Sequence, residues 1–213
     1  MHVYFVRHGE TTMNRRLTHQ PPGTPLSERG REQAREVAEF LRSVNPDLLL
    51  TSDYTRALET ARIIGLSVGL TPRIPGFLHE LVRPSRLFHR SHFAPCTIWY
   101  SFLTALHRND LSWHFEDAEN FPELAGRTRR ALQYLESLSA THRSVVVVSH
   151  TVFINVLVAY LCRERMLDVV DLFRVFFHFE RLKNGGVVHV EFSGRRERGT
   201  CPWQLVPMAP DAL

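Results

Sequence analysis

The residues most suited to chemistry stand directly after the first apolar run of the chain. Val3–Val6 is rich in β-branched and aromatic side chains, which predicts a buried strand, and Arg7 and His8 follow it. Ligands of parallel α/β sheets bind in the crevice at the carboxyl ends of the strands. A histidine at that place could attack or hold an anion, with the neighbouring arginine as a charged donor. A histidine that is simply buried and hydrogen-bonded is the alternative, and this motif alone does not decide between the two.

Two later strands are predicted to end in residues of the same kind. Leu48–Leu50 predicts a second buried strand, and the helix after it carries Arg56 in its first turn, where the helix N-terminus already favours an anion. Val145–Val148 is a continuous β-branched run typical of the centre of a parallel sheet, and His150 follows it closely. Strands that alternate with helices imply parallel pairing through right-handed crossovers. We therefore expect Arg56 and His150 to meet His8 at one edge of the sheet.

The helices that separate these strands are predicted from their caps and their apolar periodicity. Ser27 is a suitable N-cap, and apolar residues recur at helical spacing from Ala34 to Leu41. Two further helices are predicted over Glu123–Leu138 and Val152–Leu161. Each of these helices follows or precedes a predicted strand, so the pattern is that of a layered α/β protein.

The segment 71–120 has a looser pattern. Four prolines interrupt it, and one helix is expected near Thr97–His107, so we interpret the segment as a small cap inserted beside the predicted site. The last part of the chain predicts further strands over Val175–Phe179, Val187–Phe192 and Gln204–Val206. The sequence thus predicts a single α/β domain over residues 1–213, a three-layer sandwich with a mainly parallel central sheet flanked by helices.

The composition narrows the possible binding chemistry. The formal charge is +4, and Lys183 is the only lysine among 26 basic residues. A phosphate-binding or Schiff-base lysine is disfavoured because Lys183 precedes Asn184-Gly185-Gly186, which predicts a surface hairpin turn. Anion binding must therefore depend on arginine and histidine. The basic residues are spread along the chain, which argues against a nucleic-acid surface. The pair His89 and His92 lacks cysteine or carboxylate ligands at the spacing of a metal site.

Cysteine usage and apolar stretches indicate a cytoplasmic protein without membrane contact. The three cysteines, Cys96, Cys162 and Cys201, are odd in number and far apart, which argues against a disulfide framework and for a reducing compartment. The chain begins directly on a predicted strand, without the basic segment and apolar run of a signal peptide. The longest apolar stretch, Thr151–Cys162, is too short to span a bilayer. We expect a soluble protein that is a monomer or a homodimer.

Four blocks of the sequence together resemble the histidine phosphatase superfamily, also called the phosphoglycerate mutase-like family. Each block alone is unspecific, but they occur in the family's order and extend from the start of the chain to about Thr151. They are Arg7-His8-Gly9-Glu10-Thr11 with Asn14, Pro25-Leu26-Ser27-Glu28-Arg29-Gly30 with Gln33-Ala34, Ser52 with Arg56-Ala57 and Thr60-Ala61, and Ser149-His150-Thr151. The resemblance implies phosphoryl-transfer chemistry at the predicted sheet edge.

The resemblance also implies a role for each residue of the predicted site. His8 would be the nucleophile that takes the phosphoryl group, and a neutral imidazole nitrogen is a competent nucleophile. Arg7 and Arg56 would clamp the phosphoryl oxygens with planar donor forks, and His150, if protonated, would add a charged donor. Further phosphate contacts are implied for three polar side chains, those of Thr11, Asn14 and Thr151. No metal ion or other cofactor is required in this scheme.

A leaving alkoxide needs a proton, so a carboxylic acid is expected opposite His8. By resemblance this acid lies in a loop that ends in a Leu-x-Glu pattern, which Leu78-His79-Glu80 fits. Pairing of Glu80 with Arg83 or Arg86 is the structural alternative. The chain departs from the common family pattern after this glutamate, where it reads Leu81-Val82-Arg83-Pro84-Ser85, and at His19, where relatives usually have glycine. These departures concern the geometry of the acid more than the identity of the nucleophile.

The expected function is phosphomonoester hydrolysis through a phosphohistidine on His8, with Glu80 as the general acid. The expected substrate is a small phosphorylated metabolite, with no nucleic-acid or membrane partner. The nearest alternative is a mutase that returns the phosphoryl group to a sugar acid, although the insertion lacks the Glu-Arg-His/Tyr-Tyr-Gly-type segment of mutases resembling this family. The other alternative is a non-catalytic module that binds phosphate or a phosphoprotein in the same pocket.

Overall fold

The structure is a computed structural model, and it describes residues 1–107, 110, 113–161, 182–194 and 201–208. The described strands are β1 (His2–Arg7), β2 (Leu48–Thr51), β3 (Ser144–Ser149), β4 (Val187–Phe192) and β5 (Trp203–Val206). The described helices are α1 (Thr12–Arg15), α2 (Glu28–Val44), α3 (Thr55–Val68), α4 (Pro95–Leu106), α5 (Phe121–Leu138) and α6 (Thr151–Tyr160), with a 3-10 helix over Ser85–Leu87. The strand predicted over Val175–Phe179 lies outside the described residues.

The described strands form one sheet in the order β2-β3-β1-β4-β5. β1, β2 and β3 run parallel, with Arg7 opposite Ser149 and Thr51 opposite Val148, whereas β4 and β5 are antiparallel to their neighbours. The carboxyl ends of β1, β2 and β3 therefore share one edge of the sheet. The predicted α/β fold, with a parallel core between layers of helices, is confirmed.

Side chains of the central strands alternate between two apolar cores. Val3 and Phe5 of β1 pack in the cluster that includes residues of α5 and α6, whereas Tyr4 and Val6 pack in the cluster that includes residues of α2 and α3. Successive strand residues point to opposite faces, so a strand with two covered faces must be apolar throughout. In β3 all six residues are buried, and the four between its terminal serines are valines. The sheet edge is thereby held between two rigid layers.

Local capping sets where the helices begin. The Ser27 hydroxyl accepts a hydrogen bond from the Gly30 N–H at 3.1 Å, which is the cap that the sequence predicts. α5 begins at Phe121, two residues before the predicted start at Glu123. The reason is a reciprocal cap in which Asn120 Oδ1 accepts from the Glu123 N–H and the Glu123 carboxylate accepts from the Asn120 N–H, both at 2.9 Å.

The segment between α3 and α5 carries α4, close to the helix expected near Thr97–His107, and a small apolar core of Leu87, Tyr100 and Ala118. It is joined to the loop after α1 by backbone hydrogen bonds. The His19 N–H donates to the Arg90 carbonyl and the His89 N–H donates to the His19 carbonyl, each at 2.9 Å. The interpretation of residues 71–120 as a cap within a single domain over residues 1–213 stays a prediction.

Two observations bear on the environment of the protein. Cys96 is a free thiol, whereas Cys201 is disulfide-bonded. This one disulfide does not amount to the disulfide framework that the cysteine spacing argues against. It does mean that cysteine usage no longer supports a reducing compartment. Within the described part of the chain, none of the helices combines the length and apolar character needed to cross a bilayer.

Candidate active site

His8 is fixed at the end of β1 by contacts on both sides. Its N–H donates to the Ser149 carbonyl of β3 at 3.0 Å, and the N–H of the next residue, Gly9, donates to the Thr60 hydroxyl of α3 at 3.1 Å. Gly9 has no room for a side chain, because a Cβ atom there would clash with the backbone of Gly30 at the start of α2. The glycine of the Arg-His-Gly motif therefore allows α2 to lie against the site.

The imidazole of His8 is buried and held in one tautomer. Its Nδ1 lies 2.7 Å from the carbonyl oxygen of Gly9, and a carbonyl only accepts, so Nδ1 carries the proton. Burial, followed by the charges of Arg56 and Arg7, lowers the pKa of His8 well below 6.5. At neutral pH the ring is therefore uncharged, with a lone pair on Nε2. This is the state that a nitrogen nucleophile requires.

The guanidinium groups of Arg7 and Arg56 form a positive wall beside His8. The Arg56 Nε donates to His8 Nε2 at 3.2 Å, and one terminal nitrogen donates to the Pro21 carbonyl at 3.2 Å. A terminal nitrogen of Arg7 donates to the Leu182 carbonyl at 2.6 Å. Burial lowers the pKa of each arginine to about 10, and the charge of Glu80 opposes this shift. Both side chains therefore remain charged at neutral pH.

His150 lies behind the ring of His8, with 5.1 Å between the ring centroids. Its Nε2 lies 2.9 Å from the hydroxyl oxygen of Ser52, which follows β2. Burial, followed by the charges of Arg56 and His8, lowers the pKa of His150 well below 6.5. In the protein alone, His150 is therefore a neutral ring rather than the charged donor considered from the sequence.

The carboxylate of Glu80 lies at the N-terminus of α6. It accepts hydrogen bonds from the N–H groups of Leu81 at 3.0 Å, Phe153 at 3.1 Å and Val152 at 3.3 Å. Neither Arg83 nor Arg86 forms an ion pair with Glu80 among the described residues, since Arg86 pairs with Glu116 at 2.6 Å. The simple alternative of an arginine-paired glutamate is therefore not observed.

A cleft of about 760 Å³ opens at this edge of the sheet. Most of the residues proposed from the sequence line it, namely Arg7, His8, Asn14, Arg56, Glu80 and Thr151. His150 does not line the cleft and lies behind the residues that do. Thr11 is also set back, because its fully buried hydroxyl accepts from the Asn14 N–H at 3.1 Å and donates to Gln20 at 2.9 Å. Thr11 caps α1, and a phosphate contact of its side chain stays a prediction.

The cleft also has an apolar wall. It includes Leu17, Leu81, Val82, Phe88 and Phe93. Arg83 lies among them, half-buried and without an acidic partner within 4.0 Å in the described ranges. His19 is buried at the same wall, and burial, together with the charges of Arg83 and His92, lowers its pKa to about 3.

Two residues of the site were not proposed from the sequence. The Asn184 side-chain amide donates to the His8 carbonyl at 3.1 Å and to Asn14 Oδ1 at 3.3 Å. The Tyr54 ring lies beneath the Arg56 guanidinium, 4.9 Å away, and edge-on to His150. The position of Tyr54 just after a strand end was an available signal. Asn184 offered only a turn motif, 176 residues from His8 along the chain.

The sequence model of the histidine phosphatase superfamily (branch 1) matches residues 3–199 of the chain. The Erwinia tasmaniensis protein named "Probable phosphoglycerate mutase GpmB" is 33% identical over 165 residues, which cover 75% of this chain and 74% of that protein. An Enterobacter sp. (strain 638) protein of the same name is 42% identical over 80 residues, which cover 35% of this chain and 37% of that protein.

Two of the solved structures with the same fold are named as phosphatases. The mycobacterial glucosyl-3-phosphoglycerate phosphatase in complex with VO3 superposes with a TM-score of 0.74 at 25% identity, covering 97% of this chain and 98% of that one. The α-ribazole phosphatase from Shigella flexneri superposes with a TM-score of 0.73 at 25% identity, covering 97% of this chain and 96% of that one.

Proposed function

The chain belongs to the histidine phosphatase superfamily (branch 1), and we propose that it hydrolyses phosphomonoesters through a phosphohistidine on His8. The observation that carries this proposal is the state of that imidazole. Its Nδ1–H is committed to the Gly9 carbonyl, its ring is neutral, and its Nε2 lone pair meets the charged side chain of Arg56. A neutral nitrogen beside fixed positive charge is suited to attack a phosphoryl group.

In the first step, the Nε2 lone pair of His8 forms a bond to phosphorus while the bond from phosphorus to the ester oxygen breaks. Arg7 and Arg56 hold the charged phosphoryl oxygens, so positioning and electrostatic stabilisation supply most of the catalysis. Glu80, in its protonated form, gives its proton to the leaving oxygen, and the alcohol departs.

In the second step, water replaces the alcohol. The Glu80 carboxylate takes a proton from the water molecule while the water oxygen bonds to phosphorus. The bond between phosphorus and Nε2 breaks, its electron pair returns to the imidazole, and inorganic phosphate is released. The same carboxyl group thus acts first as an acid and then as a base.

The substrate that we propose is a small phosphorylated metabolite of the cytoplasm. A cleft of about 760 Å³ accommodates far more than a phosphate group, so the leaving group also contacts the walls. The names of the related proteins supply test compounds: α-ribazole 5′-phosphate, glucosyl-3-phosphoglycerate and 3-phosphoglycerate.

Phosphoglycerate mutase-type transfer is the second candidate, and the relatives named GpmB favour it. The residues that follow Glu80 favour hydrolysis instead. Leu81 and Val82 make this part of the cleft wall apolar, and the insertion lacks the polar Glu-Arg-His/Tyr-Tyr-Gly-type segment of mutases resembling this family. A mutase must retain and reorient a sugar acid, for which an apolar wall provides few donors.

The proposal is tested by p-nitrophenyl phosphate hydrolysis in the presence of EDTA. The His8→Ala variant is compared with wild type and with His142→Ala, which changes a histidine at the opposite edge of the sheet. We expect wild type and His142→Ala to be active and His8→Ala to lose both turnover and the acid-labile phosphoenzyme. Turnover retained by a folded His8→Ala variant would refute the mechanism. A folded but inactive wild type would favour the mutase or the binding module, which 3-phosphoglycerate exchange distinguishes.

A further inference from the structure

We propose that Arg127 and Glu119 are positioning residues that hold the proton donor, Glu80, at its place in the cleft. This inference rests on the proposed function, because it concerns the proton transfers that Glu80 makes in that reaction. Neither residue lines the cleft that His8 and Glu80 both line. Their effect on catalysis would therefore pass through Glu80.

Arg127 of α5 holds the segment that leads into Glu80. One terminal nitrogen of its guanidinium donates to the His79 carbonyl at 2.7 Å and to the Phe77 carbonyl at 3.2 Å. These carbonyls belong to the residue before Glu80 and to the residue three positions before it. A planar guanidinium that donates to two carbonyls of one loop fixes both its position and its direction.

Glu119 holds the segment that leaves Glu80. Its N–H donates to the Val82 carbonyl at 3.0 Å, and its carboxylate accepts from the Val82 N–H at 3.4 Å. The same carboxylate receives a bidentate pair of hydrogen bonds from Arg127, from Nε at 2.8 Å and from a terminal nitrogen at 2.6 Å. The two paired side chains therefore hold the backbone on both sides of Glu80.

A second contact connects Arg127 to the carboxylate through α6. The guanidinium lies 4.6 Å from the centre of the Phe153 ring, and the Phe153 N–H is one of the three donors to Glu80. A cation over an aromatic face attracts that ring. Arg127 therefore contacts both the loop that carries Glu80 and the helix terminus that receives its carboxylate.

The cost of burying this pair argues for a role beyond stability. Both side chains are buried, with only 5% and 8% of their surfaces exposed. Replacement of a buried ion pair by apolar residues of similar volume is often neutral or stabilising, so such a pair is weak evidence for stability alone. The Arg127–Glu119 pair instead specifies one geometry for the loop that carries Glu80. A displacement of about 1 Å at a catalytic group is sufficient to lower rates by roughly 100-fold.

The test separates loss of the proton donor from general damage by changing the leaving group. Arg127→Met, Arg127→Lys and Glu119→Gln are assayed on p-nitrophenyl phosphate, whose phenolate leaves without much assistance, and on glycerol 2-phosphate, whose alkoxide needs a proton. The control is Arg130→Met, an exposed arginine on the same helix. Thermal unfolding and circular dichroism establish that each variant is folded.

We expect kcat/KM for glycerol 2-phosphate to fall at least about 10-fold more than kcat/KM for p-nitrophenyl phosphate in Arg127→Met. Arg127→Lys should show the same selectivity with a smaller loss, because it keeps the buried charge paired but lacks the planar fork. This variant also provides the test if Arg127→Met does not fold. In a further variant, Arg127→Ala, which leaves space for the ion, added guanidinium should restore the alkyl phosphate activity, and it should leave Arg130→Met unchanged.

An equal loss on both substrates, or no loss on either, in folded Arg127 variants would overturn the positioning role. Failure of the proposed function has a different signature, because wild type itself would then lack His8-dependent hydrolysis of p-nitrophenyl phosphate. The two failures are therefore distinguished by the comparison of wild type with His8→Ala.

Discussion

Replacement of Arg56 by methionine should remove a large part of the phosphoryl-group stabilisation and also change how His8 responds to pH. The Arg56 side chain is only 3% exposed, and its Nε lies 3.2 Å from the nitrogen that would be phosphorylated. Because it is withdrawn from water, its charge acts on the reacting group with little screening. Methionine has a similar length and packs well, which limits the damage to the core of α3.

The expected rate loss follows from the donors that remain. Removal of a single preorganised donor to a developing anion typically lowers kcat by about 10²–10³-fold, which corresponds to roughly 2.7–4 kcal/mol. Loss of an arginine that stabilises a transferring phosphoryl group lowers kcat by about 10³–10⁵-fold. Arg7 remains charged at neutral pH in the variant, so we expect about 10³-fold, at the lower end of the second range.

The pH dependence supplies an independent signature. Burial is the first cause of the lowered pKa of His8, and the charge of Arg56 is the second. Without Arg56, the pKa of His8 should rise, so protonation should remove the nucleophile at a higher pH than in wild type. The acidic limb of kcat/KM should therefore move to higher pH. Ionisation of the phosphate substrate is the same in both assays, so it does not by itself move the limb of one enzyme relative to the other.

The assay is the pH profile of p-nitrophenyl phosphate hydrolysis between pH 4.5 and 8 for wild type, Arg56→Met and Arg56→Lys. Arg62→Met on the exposed face of α3 serves as the control. We expect Arg56→Lys to retain part of the charge effect on His8 while losing the donor fork. A loss below about 10-fold in a folded Arg56→Met variant, or an unmoved acidic limb, would contradict the assigned role of this residue.

Three further predictions test other parts of the cleft. Glu80→Gln should lower turnover of glycerol 2-phosphate by about 10²–10⁴-fold and affect p-nitrophenyl phosphate far less; equal losses would mean that Glu80 is structural. His19→Gln should reduce the acid sensitivity of folding. The pKa of His19 is about 3, so the unfolded chain binds a proton below pH 6.5 that the folded protein does not. Stability is therefore lost as pH falls from 6.5 towards 3, by at most about 1.4 kcal/mol per pH unit, and urea unfolding at pH 7.5 and 5 should show a smaller difference in the variant. Arg83→Met should lower kcat/KM by about 10-fold for substrates with a second anionic group and leave p-nitrophenyl phosphate unchanged, as expected for loss of one charge-assisted contact; equal effects on both substrates would remove Arg83 from the substrate site.

The sequence was most informative where a local pattern determines structure. Continuous apolar runs such as Val145–Val148 predict central parallel strands, and the direction of parallel strands then brings their carboxyl ends together. His8 and Arg56 could therefore be assigned to one site, although 48 positions separate them in the sequence. The same reasoning predicted the cap of α2 at Ser27, because capping depends on only a few consecutive residues.

The sequence was uninformative where a side chain has several suitable partners. The Thr11 hydroxyl could bind a ligand or cap a helix, and only the conformation of the following residues directs it to Asn14 and Gln20. Arg127 showed no sign of its contacts with Phe77 and His79, which lie about 50 positions away and accept through backbone carbonyls that any residue provides. Contacts of this kind depend on how α5 packs against the sheet rather than on residue type.

The pKa values of His8 and His150 are both low in the free enzyme, but the two histidines differ in what happens to them when the phosphoryl group arrives. In the free enzyme, burial, followed by the charges of Arg56 and Arg7, keeps His8 neutral and therefore nucleophilic, and burial, followed by the charge of Arg56, keeps His150 neutral. Arrival of a phosphoryl dianion introduces negative charge beside both rings, which favours protonation. For His8 this protonation is prevented once Nε2 bonds to phosphorus, whereas His150 stays free to gain a proton and become a charged donor. We therefore expect kcat to fall at high pH as His150 in the complex loses this proton, and substitution of His150 by glutamine, which cannot be charged, to remove that alkaline limb. An alkaline limb of kcat that is unchanged in the folded variant would mean that His150 keeps one protonation state throughout.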